Sequence, residues 1–305
     1  MLTTFRIVDH RVLSDTSEQA NIRLYSRPDE AERRFLVEEY RIDEHTLHCA
    51  LDADELSRLE FEPDHAAMIL KIPKNYSATE PLLFRVNSLG VFLFKDKLVV
   101  VTNDDISLFS NKAFNKVASL NDTMLKLVFT TIVHFIEHLK TINMVSDDIE
   151  KKISTAMENH HLLSQFTLSK SLVFFQNAIS SNNVLLEKIK LNVTKLNLTV
   201  EEVELLDDTL IENAQCFRQA QIYANILTSL MDAKASIISN NLNIVMKVLT
   251  SLTVLLSVPA LFASFWGMNV SVPFSNSPFG FYIVLAMSVI IASIAFILLW
   301  RKKMF

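Results

Sequence analysis

From Val248 to Trp300 the chain carries no Asp, Glu, Lys, Arg or His. The run divides into two apolar segments, about residues 248–266 and 281–300. Each is close to the ~20 apolar residues that a membrane-crossing helix requires. Between them, residues 267–280 hold Gly267, Pro273, Pro278 and Gly280, which break helices. Two crossings do not enclose a water-filled path. A chain of this kind therefore either anchors something to a membrane or forms a pore by oligomerising.

Charge next to the two segments sets their orientation. Lys247 precedes the first, Arg301, Lys302 and Lys303 follow the second, and 267–280 has no charge at all. By the positive-inside rule both ends are expected in the cytoplasm, with 267–280 as a short outer loop. Trp266 and Trp300 then fall at opposite faces of the bilayer, where indole is favoured. Met1 to Asp9 lacks a signal-peptide core, so export of the N-terminal region by that route is not expected. The expected location is the plasma (inner) membrane, with several passes.

Upstream of the spans, some 240 residues read as a soluble region long enough for its own core. A formal charge of −5 over 305 residues argues against nucleic acid as a partner and suits a surface that meets cations. Cys49 and Cys216 are too few and too far apart for a disulfide framework or a zinc knuckle. No Gly-rich phosphate cradle is present, so nothing points to ATP coupling.

Gly and Pro divide the soluble region. Before the spans every Pro lies within 28–81, Pro259 falls inside the first span, and Gly90 is the only Gly before Gly267. Residues 91–258 contain neither, which predicts long helices. Upstream, Ala67–Ile72, Leu82–Asn87, Val91–Phe94 and Leu98–Thr102 read as short strands, with Lys95-Asp96-Lys97 as a hairpin turn. Pro28-Asp29-Glu30-Ala31-Glu32 opens a helix, and Val8 to Leu24 reads either way. Downstream, a helix over about 119–158 carries the stripe Leu120, Leu127, Phe135, Ile142, Ile149 and Ile153. It breaks at Asn159-His160-His161, and a second helix runs over about 162–192. After Asn192–Thr199 a third stripe steps by three and four through Val203, Leu206, Leu210, Ala214, Phe217, Gln221, Ala224, Thr228, Met231, Ala235, Ile238, Leu242 and Val245. Nothing breaks it before the first span. One helix over 200–266 would be roughly 100 Å long at ~1.5 Å per residue, a stalk suited to a bundle of identical subunits around an axis.

Within that helix Asn243, Thr250, Thr253, Ser257, Ala260 and Ser264 recur on one face. Small and hydroxyl residues can line a narrow pore, or they can let membrane helices approach closely, and the two uses are compatible. His134 and His138 stand four apart on a helix, as metal ligands can, but no third ligand is near in sequence.

The segment Asp232-Ala-Lys-Ala-Ser-Ile-Ile-Ser-Asn-Asn-Leu-Asn-Ile-Val-Met-Lys-Val-Leu-Thr, followed by Trp266-Gly267-Met268-Asn269, resembles the stalk-to-membrane sequence of the CorA family of magnesium transporters. The α/β head, the long helices, the two terminal spans and the basic end fit the same family, so the resemblance covers the whole chain. It implies a funnel-shaped homopentamer: an α+β cytoplasmic domain with long stalk helices plus two C-terminal transmembrane helices, the first lining the pore. The expected parts are a cytoplasmic α/β domain over 1–115 and long cytoplasmic helices over 116–199. A stalk helix continuing into the first span covers 200–266, the outer loop 267–280, the second span 281–300 and a basic tail 301–305.

By the resemblance, Gly267, Met268 and Asn269 form the ion filter, with Gly267 permitting a sharp helix exit and presenting its carbonyl. Asn243 forms a lower polar ring, and Met246 and Leu249 form a hydrophobic constriction. Asp232, and less regularly Asp208, occupy positions for regulatory Mg²⁺ between subunits. An ordinary solvated helix face is the alternative for Asp232 and Asp208, and Asp104 and Asp105, after a predicted strand, are candidates for the partner carboxylate from the head. The implied activity is passive Mg²⁺ uptake gated by cytoplasmic Mg²⁺, with no catalytic step and no cofactor. The implied partners are the bilayer, further copies of the chain and divalent cations: Mg²⁺, with Co²⁺, Ni²⁺ and Zn²⁺ as further candidates. Three positions depart from the family pattern. The outer loop lacks an acid after Asn269, Pro259 stands one place late, and Ser264 replaces a frequent Gly. A zinc-transporting branch, a carrier working in the reverse direction, and a membrane-anchored scaffold or sensor without a pore are the other readings.

Overall fold

The computed structural model describes residues 1–17, 19–74, 82–153, 159–273 and 277–302. It divides into two compact units, Met1–Ser229 and Leu230–Phe305.

The first unit is built on a seven-stranded sheet. Its strands are β1 (Leu2–Val8), β2 (Arg11–Ser14), β3 (Ile22–Ser26), β4 (Arg58–Phe61), β5 (His65–Pro73), β6 (Val86–Phe94) and β7 (Leu98–Thr102). They lie in the order β2-β1-β3-β7-β6-β5-β4. Every pairing is antiparallel except β3 with β7. Strands β5 and β7 are buried at every position, so the sheet is covered on both faces.

Alternation along each strand assigns the two cores. Met68, Leu70, Ile72, Leu89, Val91, Leu98 and Val100 join one cluster, with the long helices α3 (Leu120–Ile153) and α4 (Asn159–Leu191). Ala67, Ile69, Phe92, Val99 and Val101 join the other, with α1 (Glu30–Glu38) and α2 (Glu44–Leu51). Gly90 sits where α2 meets the sheet. A Cβ there would lie 2.6 Å from Ala50 Cβ, so the absence of a side chain sets that approach.

Local chemistry accounts for the helix starts. Asp29 caps α1 in a reciprocal box with Glu32. Asp122 N–H donates to Ser119 Oγ at the start of α3, and Ala118 N–H donates back to the Asp122 carboxylate. At the start of α5 (Val200–Trp266), Thr199 and Glu202 form a second box, and Glu202 also accepts from Ser119 Oγ, which ties the two helix starts together.

Several expectations are corrected. Leu82–Asn87 and Val91–Phe94 are not two strands: β6 starts at Val86 and continues through Gly90, while Leu82 has φ 69° and turns. The ambiguous stretch from Val8 contains a hairpin whose two-residue turn, Asp9-His10, has φ 48° and 60°. Asn159 already belongs to α4 rather than to a break, and residues 154–158 lie outside the described residues. The Lys95–Lys97 turn is present, with Phe94 N–H donating to Lys97 O at 2.9 Å.

Helix α4 and the first part of α5 pack through a seam that contains polar residues. Leu206, Thr209, Asn213, Cys216, Ala220 and Leu227 are buried in α5. Asn213 Nδ2 donates to Ile179 O at 3.2 Å, Gln176 Nε2 to Ala220 O at 3.2 Å, and Lys190 pairs with Asp207 at 2.6 Å. Of the expected stripe, only Leu206 is fully inside; Gln221, Thr228, Ala235, Ile238, Leu242 and Val245 are exposed.

Candidate functional site

The second unit contains the remainder of α5, a loop and α6 (Gly280–Arg301). Both helices are long and apolar enough to cross a membrane, and α6 buries no residue. Helix α5 continues through Pro259, whose missing N–H leaves the Leu255 carbonyl without its usual donor.

Exposure separates two faces of α5. Ser251 is fully buried, and Leu255, Val258, Pro259, Phe262 and Trp266 are half-buried. On α6, Val284, Ser288, Ile291, Ala295 and Leu299 are half-buried at steps of three and four. On each helix the half-buried positions run along one side. All eight expected pore-lining positions, Asn243, Met246, Leu249, Thr250, Thr253, Ser257, Ala260 and Ser264, are exposed. At ~100° per residue, the two sets on α5 are centred roughly 170° apart. Over 251–266 one side of α5 is covered and the side with Thr253, Ser257, Ala260 and Ser264 is bare, while residues 242–250 are exposed all round. Thr253 Oγ1 donates to Leu249 O at 2.8 Å, which satisfies the hydroxyl proton within the helix.

Helix α5 stops at Trp266, and the Gly267 N–H donates to Ala263 O and Ser264 O at 3.2 and 3.1 Å. The exit at Gly267 does not use left-handed backbone. No glycine has positive φ, and a Cβ at 267 would meet Ser264 O at an ordinary 3.5 Å. The loop is tied back instead by Trp266, whose Nε1–H donates to Pro273 O at 3.0 Å. Nothing in the pattern of apolar residues signalled that bond. Met268 and Asn269 are exposed beside it, and no described residue hydrogen-bonds the Asn269 carboxamide.

The acidic candidates separate. Asp232 and Asp208 are exposed, and the neighbouring Asp207 is the one that pairs with a lysine. Asp104 is buried and accepts from Asn87 Nδ2, so its carboxylate is committed within the head. Asp105 is exposed and lines a cleft of about 390 Å³ with His134 and Glu137.

His134 and His138 face each other, Nε2 to Nε2 at 3.0 Å. Burial lowers the His138 pKa to about 4, with the charge of His134 adding to the shift; burial lowers His134 as well, against the opposing effect of Glu137. Burial pushes the Cys216 thiol up to about 12 and raises that of Cys49. Among the described residues no three His, Cys, Asp or Glu side chains are arranged to hold a metal ion.

Three comparisons with known proteins bear on this arrangement. A family model described as "CorA-like Mg²⁺ transporter protein" matches residues 21–303. The "Cobalt/magnesium transport protein CorA" of Methanocaldococcus jannaschii is 27% identical over 298 residues, covering 90% of this chain and 88% of that protein. The complete structure of the CorA magnesium transporter from the same organism superposes with a TM-score of 0.81 at 22% identity, over 97% of this chain and 96% of that one. Full-length CmaX gives a TM-score of 0.73 at 13% identity over 99% and 97%. The ZntB cytoplasmic domain from Vibrio parahaemolyticus gives 0.62 at 11% over 78% and 98%. The structural likenesses lie below the identity at which more than fold carries over.

Proposed function

The chain belongs to the CorA-like Mg²⁺ transporter family, and from that premise we propose that it is a passive divalent cation channel that admits Mg²⁺ and is gated by cytoplasmic Mg²⁺. The observation that carries this reading is the bare polar stripe of α5, opposite the half-buried side of that helix and running to Ser264, five residues before Asn269. Copies arranged by cyclic symmetry with that stripe inward would enclose a path lined by Asn243, Thr250, Thr253, Ser257, Ala260 and Ser264. Five copies is the number the family suggests.

Mg²⁺ is small and gives up water reluctantly. A ring of Asn269 carboxamides accepts hydrogen bonds from the ion's water shell without stripping it, so it selects by hydrated size and charge. Co²⁺ and Ni²⁺, hydrated to a similar size, would pass the same filter. Below it, Met246 and Leu249 close the path by dewetting. The driving force is the membrane potential, about 4.6 kcal/mol for two charges across 100 mV. With both ends cytoplasmic, Asp232 and Asp208 face the cell interior. Mg²⁺ bound there between subunits holds the ring closed, because it binds that state more tightly.

The experiment is flux into sealed proteoliposomes under an imposed potential, run as one series with Mg²⁺, Co²⁺, Ni²⁺ and Zn²⁺. Potential-driven Mg²⁺ entry without a pH gradient is the expected result. Absence of flux for every ion from a correctly assembled oligomer would leave a scaffold. A strict requirement for a proton gradient would make the protein a coupled carrier.

A further inference from the structure

The soluble unit carries a chemical feature that the pore reading does not use. We propose that His134 and His138 form a binding site for a borderline transition-metal dication, Zn²⁺, Co²⁺ or Ni²⁺, which Mg²⁺ does not occupy.

The spacing of the two nitrogens suits a shared metal ion. The two Nε2 atoms lie 3.0 Å apart. Two imidazole nitrogens at ~2.1 Å from one metal ion, at a right angle, are separated by about 3.0 Å. A metal would need the Nε2–H proton of one ring to leave and both rings to turn until their lone pairs converge beside the N–N line. The segment His134-Phe135-Ile136-Glu137-His138 reads H-x-x-E-H, one of the patterns by which a single helix turn presents two histidines to a metal.

The surroundings hold the His138 ring. Phe84 and Phe175 meet His138 edge-on, with ring centres 5.5 and 6.0 Å away. Phe84 is itself buried, and its N–H donates to Ser171 Oγ at 3.0 Å. Side chains held in this way give a site preorganised for its ligand. An approach exists on the His134 side, where the cleft of about 390 Å³ also carries the carboxylates of Asp105 and Glu137 and the side chains of Ser107 and Asn111. Two acids favour a cation there. Since no third ligand converges, the remaining coordination positions fall to water or to a rotated Glu137.

Ligand chemistry supplies the discrimination. Imidazole suits Zn²⁺, Co²⁺ and Ni²⁺, whereas Mg²⁺ takes oxygen ligands and keeps its water. The competing account is a plain hydrogen bond between two neutral imidazoles, which predicts no metal affinity.

The test uses the full chain in detergent, stripped with EDTA and equilibrated with excess Mg²⁺ to fill oxygen sites. Titration with Co²⁺, followed by calorimetry and by the visible absorbance of the bound ion, should give one ion per subunit. Loss of an outer partner alone typically weakens metal sites about 10–100-fold, so His134→Gln and His138→Gln should each weaken Co²⁺ binding at least tenfold. A Cys49→Ser control should not, although His45 Nδ1 lies 3.1 Å from Cys49 Sγ and is the other place where ligand-type atoms meet. Should the glutamine variants misfold, diethyl pyrocarbonate modification of the wild type decides, with Co²⁺ protecting His134 and His138 specifically. No binding in excess Mg²⁺, binding that survives both substitutions, or loss in Cys49→Ser alone would each overturn the assignment. Because the readout is binding, failure here leaves the channel reading intact, and failure of transport leaves this one intact.

Discussion

Replacing Asn269 by Ala separates function from folding more cleanly than any other change to this chain. The residue stands three positions past the end of α5, exposed, and no described residue bonds its carboxamide. Its loss should therefore alter stability by no more than about 0.5 kcal/mol, as for other surface sites. The Trp266–Pro273 hydrogen bond that ties the loop back is untouched. The effect on transport is amplified by symmetry, because one substitution removes five carboxamides in the proposed pentamer. At a net ~0.5–1.5 kcal/mol per hydrogen bond, the ring contributes at least about 2.5 kcal/mol, and more when the donor water is polarised by a dication. At 1.4 kcal/mol per tenfold, Mg²⁺ flux should drop by about 60-fold or more. Asn269→Asp keeps the size but gathers up to five carboxylates, which should hold ions too tightly or admit the wrong ones. Thr253→Ala is the matched control within the span. Its hydroxyl proton is already given to Leu249 O at 2.8 Å, so flux should change by only a few-fold. The assay is Mg²⁺ entry into proteoliposomes, read by an enclosed indicator, with oligomer mass checked for each variant. Wild-type flux in a correctly assembled Asn269→Ala protein would refute the filter assignment.

Asp232→Ala should weaken inhibition of uptake by internal Mg²⁺ while leaving the pore conductive; unchanged inhibition would move the regulatory site elsewhere, with Asp208 next to test. In EDTA-treated protein, denaturation should become pH-dependent below pH 6.5. Above that value both states leave His138 neutral, but from 6.5 down to its folded pKa of about 4 the unfolded chain takes a proton that the folded one does not, removing about 3 kcal/mol. His138→Gln should flatten most of that slope, leaving the part due to His134, and an unchanged slope would mean that other groups cause it. Asn182 is fully buried and joins α4 to the sheet, accepting from Lys71 N–H and Ser57 Oγ and donating to Lys71 O. Asn182→Ala strands those groups at about 1–3 kcal/mol each, so a marked loss of thermal stability is expected, and a melting point within 2–3 °C of wild type (roughly 1 kcal/mol for a domain of this size) would show that water replaces the amide.

The central strands were legible because β5 and β7 are largely apolar runs, as strands covered on both faces are. The hairpin of β1 and β2 was not, since Asp9 and His10 adopt positive φ where a turn motif would advertise Gly. The seam of α5 was hidden for a different reason. Thr209 and Asn213 read as surface residues, yet the first bonds its own helix at Leu205 O and the second donates to Ile179 O across to α4. Periodicity ranks residues by polarity and does not register a polar group whose partner comes with the packing. The candidate pore stripe was visible from spacing alone, but its opposite, Ser251 to Trp266, was not. Both are apolar with small residues interspersed, and only their exposure in the folded chain distinguishes them. The histidine pair shows the same division: the four-residue spacing is in the sequence, while the meeting of two Nε2 atoms depends on a His138 ring packed against Phe84 and Phe175.

A single copy leaves the second unit incomplete in a way that limits what can complete it. Ile237, Ile238, Leu242, Val245, Met246 and Leu249 are exposed, interspersed with Asn243 and Thr250 on the same helix. Lipid would accept the apolar members but not an Asn243 carboxamide, and water would accept the carboxamide but not the apolar row. A second protein surface meets both needs if it buries the apolar residues and leaves the polar ones on a hydrated axis. A two-fold contact through this face would bury the polar stripe against itself and leave hydroxyls and carboxamides competing for partners in hydrocarbon. A cyclic ring of more than two copies instead places the polar row on the axis, with the flanking apolar rows against neighbours, and needs no surface beyond the bare side of α5. The mixed character of the stripe, too polar for lipid and too apolar for water, is therefore the physical reason to expect a ring around a hydrated path.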